Sequence, residues 1–237
     1  MKKALFTFIV TLGILVIGAS GSYIFRVPII NHSLTNLFSV PVEISIFDVV
    51  KNKITIENVV IDNPETSAFP YAMKIGSLEL VSPIRNYFRY DTEIKDIYLN
   101  DVEVNVEFYD KKNTQMNWDP IVASSNYIIS SPIDEEGSII TIQKFVITRL
   151  KVNLKQSGQK VETFYFNGPL VYRNLDSRRG IPSRVVADVV VRITLQKVFS
   201  LAGLTEFAGV IFKGAIKPIT EILPFHHFSE KKRKPLQ

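Results

Sequence analysis

The chain has 237 residues, 46% of them hydrophobic and 22% charged, with a formal net charge of +5, no cysteine and three histidines. The absence of thiols excludes a disulfide framework, a thiolate zinc site and a cysteine nucleophile, and His32, His226 and His227 are poor material for a three-histidine metal cage. The charge excess sits at the ends, +2 on Lys2 and Lys3 and +3 over residues 230–234, so the body is neutral and no nucleic-acid partner is expected.

Behind Lys2 and Lys3 runs an uncharged stretch, residues 4–25, rich in Leu, Ile, Val and Phe and closed by Arg26. As a helix rising about 1.5 Å per residue it would reach roughly 30 Å, the thickness of a bilayer's hydrocarbon core. It reads as a transmembrane anchor. The alternative is a cleaved signal peptide, because Gly18, Ala19, Ser20, Gly21 and Ser22 supply the small residues a cleavage site needs. Two lysines before the stretch, against Arg26 alone and then no base until Lys51, place the N-terminus in the cytoplasm and the body across the membrane. The expected organisation is a cytoplasmic start and anchor over 1–26, a periplasmic β domain with internal repeats over 27–194, an amphipathic helix over 195–225 and a basic tail over 226–237.

The body reads as strand. Val102, Val104, Val106 and Phe108 alternate with Glu103, Asn105 and Glu107, a period of two that gives one apolar and one wet face. Similar alternation occurs at Val42, Ile44 and Ile46, at Leu150, Val152 and Leu154, and at Val185, Ala187, Val189, Val191 and Ile193. Asn63-Pro64, Ser82-Pro83, Asp119-Pro120, Ser131-Pro132 and Gly168-Pro169 punctuate these runs. No long amphipathic helix is expected before about Leu195, which argues against a parallel βαβ architecture.

The strongest strand recurs. Ile94, Ile97, Leu99, Val102, Val104 and Val106 line up with Ile142, Phe145, Ile147, Leu150, Val152 and Leu154 at a shift of 48, and the front half recurs at Ile56, Val59 and Ile61 at a shift of 38. The steps of three from Ile94 to Ile97 and from Leu99 to Val102 break strict alternation and predict bulges or a bend in a curved sheet.

The stretch 54–65, then Ile75 to Leu80, then Ile94 to Phe108, with Asn117-Trp118-Asp119 after it, resembles the N-terminal module of AsmA-like bacterial envelope proteins. The resemblance covers residues 2–193. It implies an inner-membrane anchor, a β-groove projecting into the periplasm, and a non-catalytic, cofactor-free role in phospholipid movement and outer-membrane biogenesis. The expected fold is mainly β, a curved antiparallel sheet, groove or sandwich-like, between an N-terminal transmembrane helix and a C-terminal amphipathic helix. Val102, Val104, Val106, Leu150, Val152 and Leu154 are the candidates for a lipid-holding face, and they serve a closed core equally well. About ten strands at roughly 4.8 Å would span ~50 Å. The expected partner is phospholipid or a membrane. The rival reading is a structural or protein-interaction module that binds an envelope partner by strand addition.

Leu201, Leu204, Ala208, Ile211, Ala215, Ile219 and Ile222 recur at helical spacing, with Glu206, Lys213, Lys217 and Glu221 on a narrow polar face. This segment would cover the sheet or lie on a membrane. In the tail, Lys231, Lys232, Arg233 and Lys234 either solvate a free end or contact anionic headgroups. Catalytic motifs are missing: there is no G-x-S-x-G elbow, phosphate-binding loop, H-E-x-x-H or dinucleotide fingerprint. Asp134, Glu135 and Glu136 are read as a solvated loop rather than a cation site.

Overall fold

The computed structural model of the protein describes residues 26–64, 67–89, 91–129 and 140–176 and, beyond them, Ala187, Val190, Val191, Ile193, Thr194, Leu195 and Val198. In chain order come α1 (Arg26–Phe38), β1 (Val42–Glu43), β2 (Ile46–Val50), β3 (Lys53–Asp62), β4 (Tyr71–Val81), a 3₁₀ turn (Ile84–Phe88), β5 (Thr92–Glu107), α2 (Trp118–Ile129), β6 (Ile140–Lys155), β7 (Glu162–Phe166) and β8 (Leu170–Asp176). The strands make one open sheet in the order β1-β3-β4-β5-β6-β7, with β2 also beside β3 and β8 also beside β6. Eight strands thus fill six columns, a width of roughly 24 Å rather than the ~50 Å expected from ten.

The chain is mainly β, and the sheet is mixed rather than wholly antiparallel. Its two longest strands, β5 and β6, pair in parallel, with Ile94 opposite Ile142, Ile97 opposite Phe145, Leu99 opposite Ile147 and Val106 opposite Leu154. The 48-residue repeat is therefore the register of this pair. The parallel arrangement requires a crossover, and α2 lies within it. Sequence reasoning discounted that crossover because Asp119-Pro120 reads as a turn. Proline is instead tolerated in the first turn of a helix, where its missing N–H has no intrahelical acceptor. Pro28 stands in the first turn of α1 for the same reason.

The predicted breaks in alternation are sites of left-handed backbone. Asn58, Asp101 and Arg149 have φ of 53°, 54° and 51°. Pairing skips each of them, so that Leu99 and Val102 are both buried while Asp101 between them is exposed. Gly76 faces the skipped positions from β4. A Cβ there would stand 2.9 Å from the Asp101 Cβ, so the backbone crosses this point only with glycine. The four residues form a crease across four strands. A second crease joins Lys95, Gln143 and Asn174 (φ 55°), where the parallel pair and β8 skip together. By these left-handed positions the first copy of the repeat is offset by 43 residues, Asn58 to Asp101, and not by 38.

Two further expectations are corrected. The run Val42, Ile44, Ile46 is not one strand: β1 ends at Glu43, β2 begins at Ile46, and the buried residue is Phe47 while Ile46 is 42% exposed. The chain changes face between Ile44 and Phe47, another step of three. Within the expected strand 185–193, Ala187, Val190, Val191 and Ile193 are helical, as are Thr194, Leu195 and Val198. The Thr194 hydroxyl donates to the Val190 carbonyl one turn back at 2.8 Å. Val190, Thr194 and Val198, with Val191 and Leu195, keep one face of a helix apolar, and tertiary packing overrides the strand preference of valine.

One core joins the sheet to its helices. Leu37 and Phe38 of α1, Trp118, Ile121 and Val122 of α2, and the helical Val190, Val191, Ile193, Leu195 and Val198 share it with β1 to β8. Val27, Ile30 and Leu34 extend the apolar stripe of α1 against it. Two side chains of α1 also close the outer edge of the sheet: Thr35 Oγ1 accepts the Val42 N–H and Asn31 Oδ1 accepts the Ile44 N–H, each at 3.0 Å. Among the described residues no helix is long and apolar enough to cross a membrane; residues 4–25 lie outside them.

Candidate functional site

The apolar face runs unbroken across the sheet. One row reads Val42, Ile61, Met73, Val104, Val152 and Phe164 across all six columns, and a second reads Phe47, Ile56, Leu78, Leu99, Ile147 and Leu170. The lipid-face candidates sit at its centre as three facing pairs, Val102 with Leu150, Val104 with Val152 and Val106 with Leu154. All six are 5% exposed or less, in the same core as the helices. At these positions the structure has a covered core and not an open trough. Among the described residues the rows are less covered at the β7–β8 side, where Phe164, Phe166, Leu170 and Tyr172 are partly buried against the core, and at Ile56 on β3.

The opposite face of β5 and β6 carries a ladder of charge. Glu103 meets Lys151 at 2.9 Å, Glu107 meets Lys155 at 2.7 Å, and Asp101 meets Arg149 through two hydrogen bonds, with every acid on β5 and every base on β6. Between them the Asn153 amide donates to Asn105 Oδ1 at 2.7 Å. Shifting the register by one residue would put this face into the core, so both faces specify the same parallel pairing. Burial opposes ionisation of Glu103 and Glu107, but hydrogen bonds outweigh it. Those from Lys151, Asn153 and Tyr71 hold Glu103 below the usual carboxylate range, and those from Lys155, the Ala68 N–H and Ser67 do the same for Glu107.

Where β5 ends, the polar groups form a closed latch. Asn117, fully buried just before α2, accepts the Glu107 N–H at 2.9 Å and donates to the Asn105 carbonyl at 3.0 Å and to Asn63 Oδ1 at 2.6 Å. The Trp118 indole N–H donates to the same Asn105 carbonyl at 2.9 Å. The latch thus ties the end of β3, the end of β5 and the start of α2. The sequence marked Asn117-Trp118-Asp119, Asn63 as part of a turn and Glu107 as part of a wet strand face, but not their meeting, since Asn63 and Glu107 lie 54 and 10 residues from Asn117 in the chain. Burial, then the nearby Asp110, raises the Asp119 carboxyl, whose Oδ2 accepts the Met116 N–H at 2.7 Å.

At the other end, where β2, β4 and β8 finish and β5 and β6 begin, the rim is held by hydrogen bonds to backbone carbonyls. The Ser82 N–H donates to the Asn52 carbonyl at 2.8 Å, the Ser82 hydroxyl to the Glu93 carbonyl at 2.7 Å, and the Asn86 amide to that carbonyl at 3.1 Å. Tyr87 in the 3₁₀ turn has a buried hydroxyl without a partner among the described residues, and burial pushes its pKa up to about 12.

His32 lies exposed on α1, 3.1 Å from the Asn36 amide. His226, His227, the basic tail Lys231, Lys232, Arg233 and Lys234, and the acidic Asp134, Glu135 and Glu136 lie outside the described residues, as does the amphipathic segment beyond Val198. Among the described residues no group of three or more His, Asp and Glu side chains is placed to hold a metal ion. Comparison with known protein families, curated proteins and solved structures finds no match for this chain.

Proposed function

We propose that this chain is a single-pass protein of the bacterial inner membrane, with its N-terminus in the cytoplasm and its body in the periplasm, acting without catalysis in lipid handling for the cell envelope. One observation carries the reading: a continuous apolar face crosses an open sheet, and that sheet is attached through α1 to an uncharged stretch long enough to span a bilayer. An acyl chain would follow the rows from their partly buried ends at Phe164, Phe166 and Leu170, displacing helix from the face as it goes. The resemblance to AsmA-like envelope proteins points the same way.

The test uses the full chain in vesicles containing a phospholipid with a photoactivatable acyl chain. The expected result is adducts on β7 and β8 at Phe164, Phe166 and Leu170, competed by unlabelled phospholipid. Adducts confined to residues 4–25 would overturn lipid handling by the sheet and leave the anchor alone. A second reading, strand addition by an envelope protein, is favoured by the outer edge of β7 and β8. Among the described residues nothing pairs with that edge, and Val161, Tyr165 and Val171 there are 47%, 67% and 41% exposed. Under that reading the lipid adducts are missing and a partner protects the β7 amides from hydrogen exchange.

A further inference from the structure

The apolar face and the latch are accounted for by packing and by satisfied hydrogen bonds, but the rim opposite the latch is not. Its turn between β2 and β3 consists of Lys51 and Asn52, and Lys51 holds φ at 51°, a left-handed conformation that favours glycine or asparagine. Lys51, Arg85 and Arg89 are exposed there, and none of them forms an ion pair among the described residues. Beside them Val50 is 52% exposed and Phe88 39%. Of the acids of this end, Asp48 pairs with Arg26 and Glu79 with Lys53, each at 3.4 Å, Glu93 accepts a hydrogen bond from Gln143, and Asp96, level with Val81, forms no ion pair among the described residues but adjoins the exposed Lys95. Asp91 also has an interaction of its own.

The direction of α1 decides what this rim faces. Arg26 is its first residue and follows the uncharged stretch 4–25 without a break in sequence. From there α1 runs antiparallel to β1 and β2, with Arg26 beside Asp48, Asn31 beside Ile44 and Thr35 beside Val42. The end of the sheet that carries Val50, Lys51 and the 3₁₀ turn is therefore the end from which the stretch departs. The latch and Tyr165 are at the other end: Tyr165 pairs with Lys151, eleven residues past Ile140 and hence about 36 Å along β6.

We infer that this rim, built by the β2–β3 turn and the 3₁₀ turn, is a second membrane contact that lays basic and apolar side chains on an anionic phospholipid surface and stands the strands upright on the bilayer. The inference rests on the anchored reading above. Exposed lysine and arginine attract anionic headgroups within about a Debye length, roughly 10 Å, while valine and phenylalanine at the same height enter the interface. The hydrogen bonds from Ser82 and Asn86 to the Asn52 and Glu93 carbonyls give the contact a fixed shape. An upright sheet would place the open ends of its rows, on β7 and β8, well outside the headgroup layer.

The chain contains no cysteine, so a single introduced thiol reports one position. Val50→Cys, Phe88→Cys and Tyr165→Cys, each carrying a polarity-sensitive fluorophore, are reconstituted as full chains in vesicles with brominated acyl chains, of phosphatidylglycerol or of phosphatidylcholine. The expected result is at least twofold quenching at positions 50 and 88 in phosphatidylglycerol and little at 165. The joint change of Lys51, Arg85 and Arg89 to Glu should remove most of it, as should phosphatidylcholine. Equal quenching at the three positions, none at 50 and 88, or quenching indifferent to lipid charge would overturn the inference. Flotation of the unlabelled chain with phosphatidylcholine vesicles at alkaline pH reads the anchor separately. If the chain does not float the anchor fails, and charge-dependent quenching at 50 and 88 still supports the rim while its absence overturns it.

Discussion

The two ends of the sheet treat their polar residues differently. At the latch end, Asn105, Asn117, Glu107 and Asn153 are buried, and each finds hydrogen-bond partners within the fold. At the rim end, Lys51, Arg85, Arg89, Val50 and Phe88 are exposed, and among the described residues the three cations form no ion pair. Buried polar groups must be satisfied where they stand, because each one left unpaired costs about 1–3 kcal/mol, so their clustering marks a structural joint. Exposed cations and apolar side chains side by side contribute almost nothing to folding and are free to meet something else. The contrast predicts that changes at the latch appear in stability and changes at the rim appear in association.

The largest effect is expected from Trp118→Ala. It removes a fully buried indole together with its bond to the Asn105 carbonyl, and the expected loss is about 3–5 kcal/mol in urea denaturation. Asn117→Ala comes next at about 2–3 kcal/mol, because it strands the Glu107 N–H and weakens the hold on Asn63. If either variant kept full stability, the latch would not be the joint between β3, β5 and α2.

Acid should loosen the same pair. Glu103 and Glu107 have folded-state pKa values below their ordinary 4.5. The stability they contribute is therefore complete above about pH 5 and is lost as pH falls through those lowered values. Asp101 and Asp110, also lowered by their hydrogen bonds, act in the same sense, while Asp62 and Asp119, raised by burial, gain on protonation, so the net slope is that of four carboxylates against two. Denaturant titrations at pH 7 and pH 3.5 should show the loss, and Glu107→Gln should reduce it. The smallest effect belongs to the rim: changing Lys51, Arg85 and Arg89 together to Glu should leave the urea midpoint within about 0.5 kcal/mol of the parent. A large shift there would mean that the rim is structural after all.

Much of the sheet was legible. The alternation of Val102, Val104 and Val106 marked β5, the 48-residue echo marked β6, and the steps of three at Ile94 and Leu99 marked the creases later seen at Lys95 and Asp101. The direction of that pair was not legible, since a repeat of apolar positions suits parallel and antiparallel neighbours alike and the start of α2 at Asp119-Pro120 looked like a turn. Val190 and Val191 satisfied two periods at once, and burial against the core selected the helical one. The candidate face was read correctly as apolar; its cover could not be, because α1, α2 and the helical residues near 190 are brought onto it from sites far apart in the chain.

The sequence by itself determined which residues turn inward, where the strands bend, that the body is neutral between basic ends, and that an uncharged stretch precedes it, because those properties depend only on residue type and local period. Tertiary structure decided the rest. It made β5 and β6 parallel by matching acids to bases across one face, gathered Asn63, Asn105, Glu107 and Asn117 into one joint, and tied the β2–β3 turn at Asn52 to Ser82 before the 3₁₀ turn, at the end of the sheet from which the uncharged stretch departs. Those contacts connect residues tens of positions apart, and only a chain already folded brings them within hydrogen-bond reach.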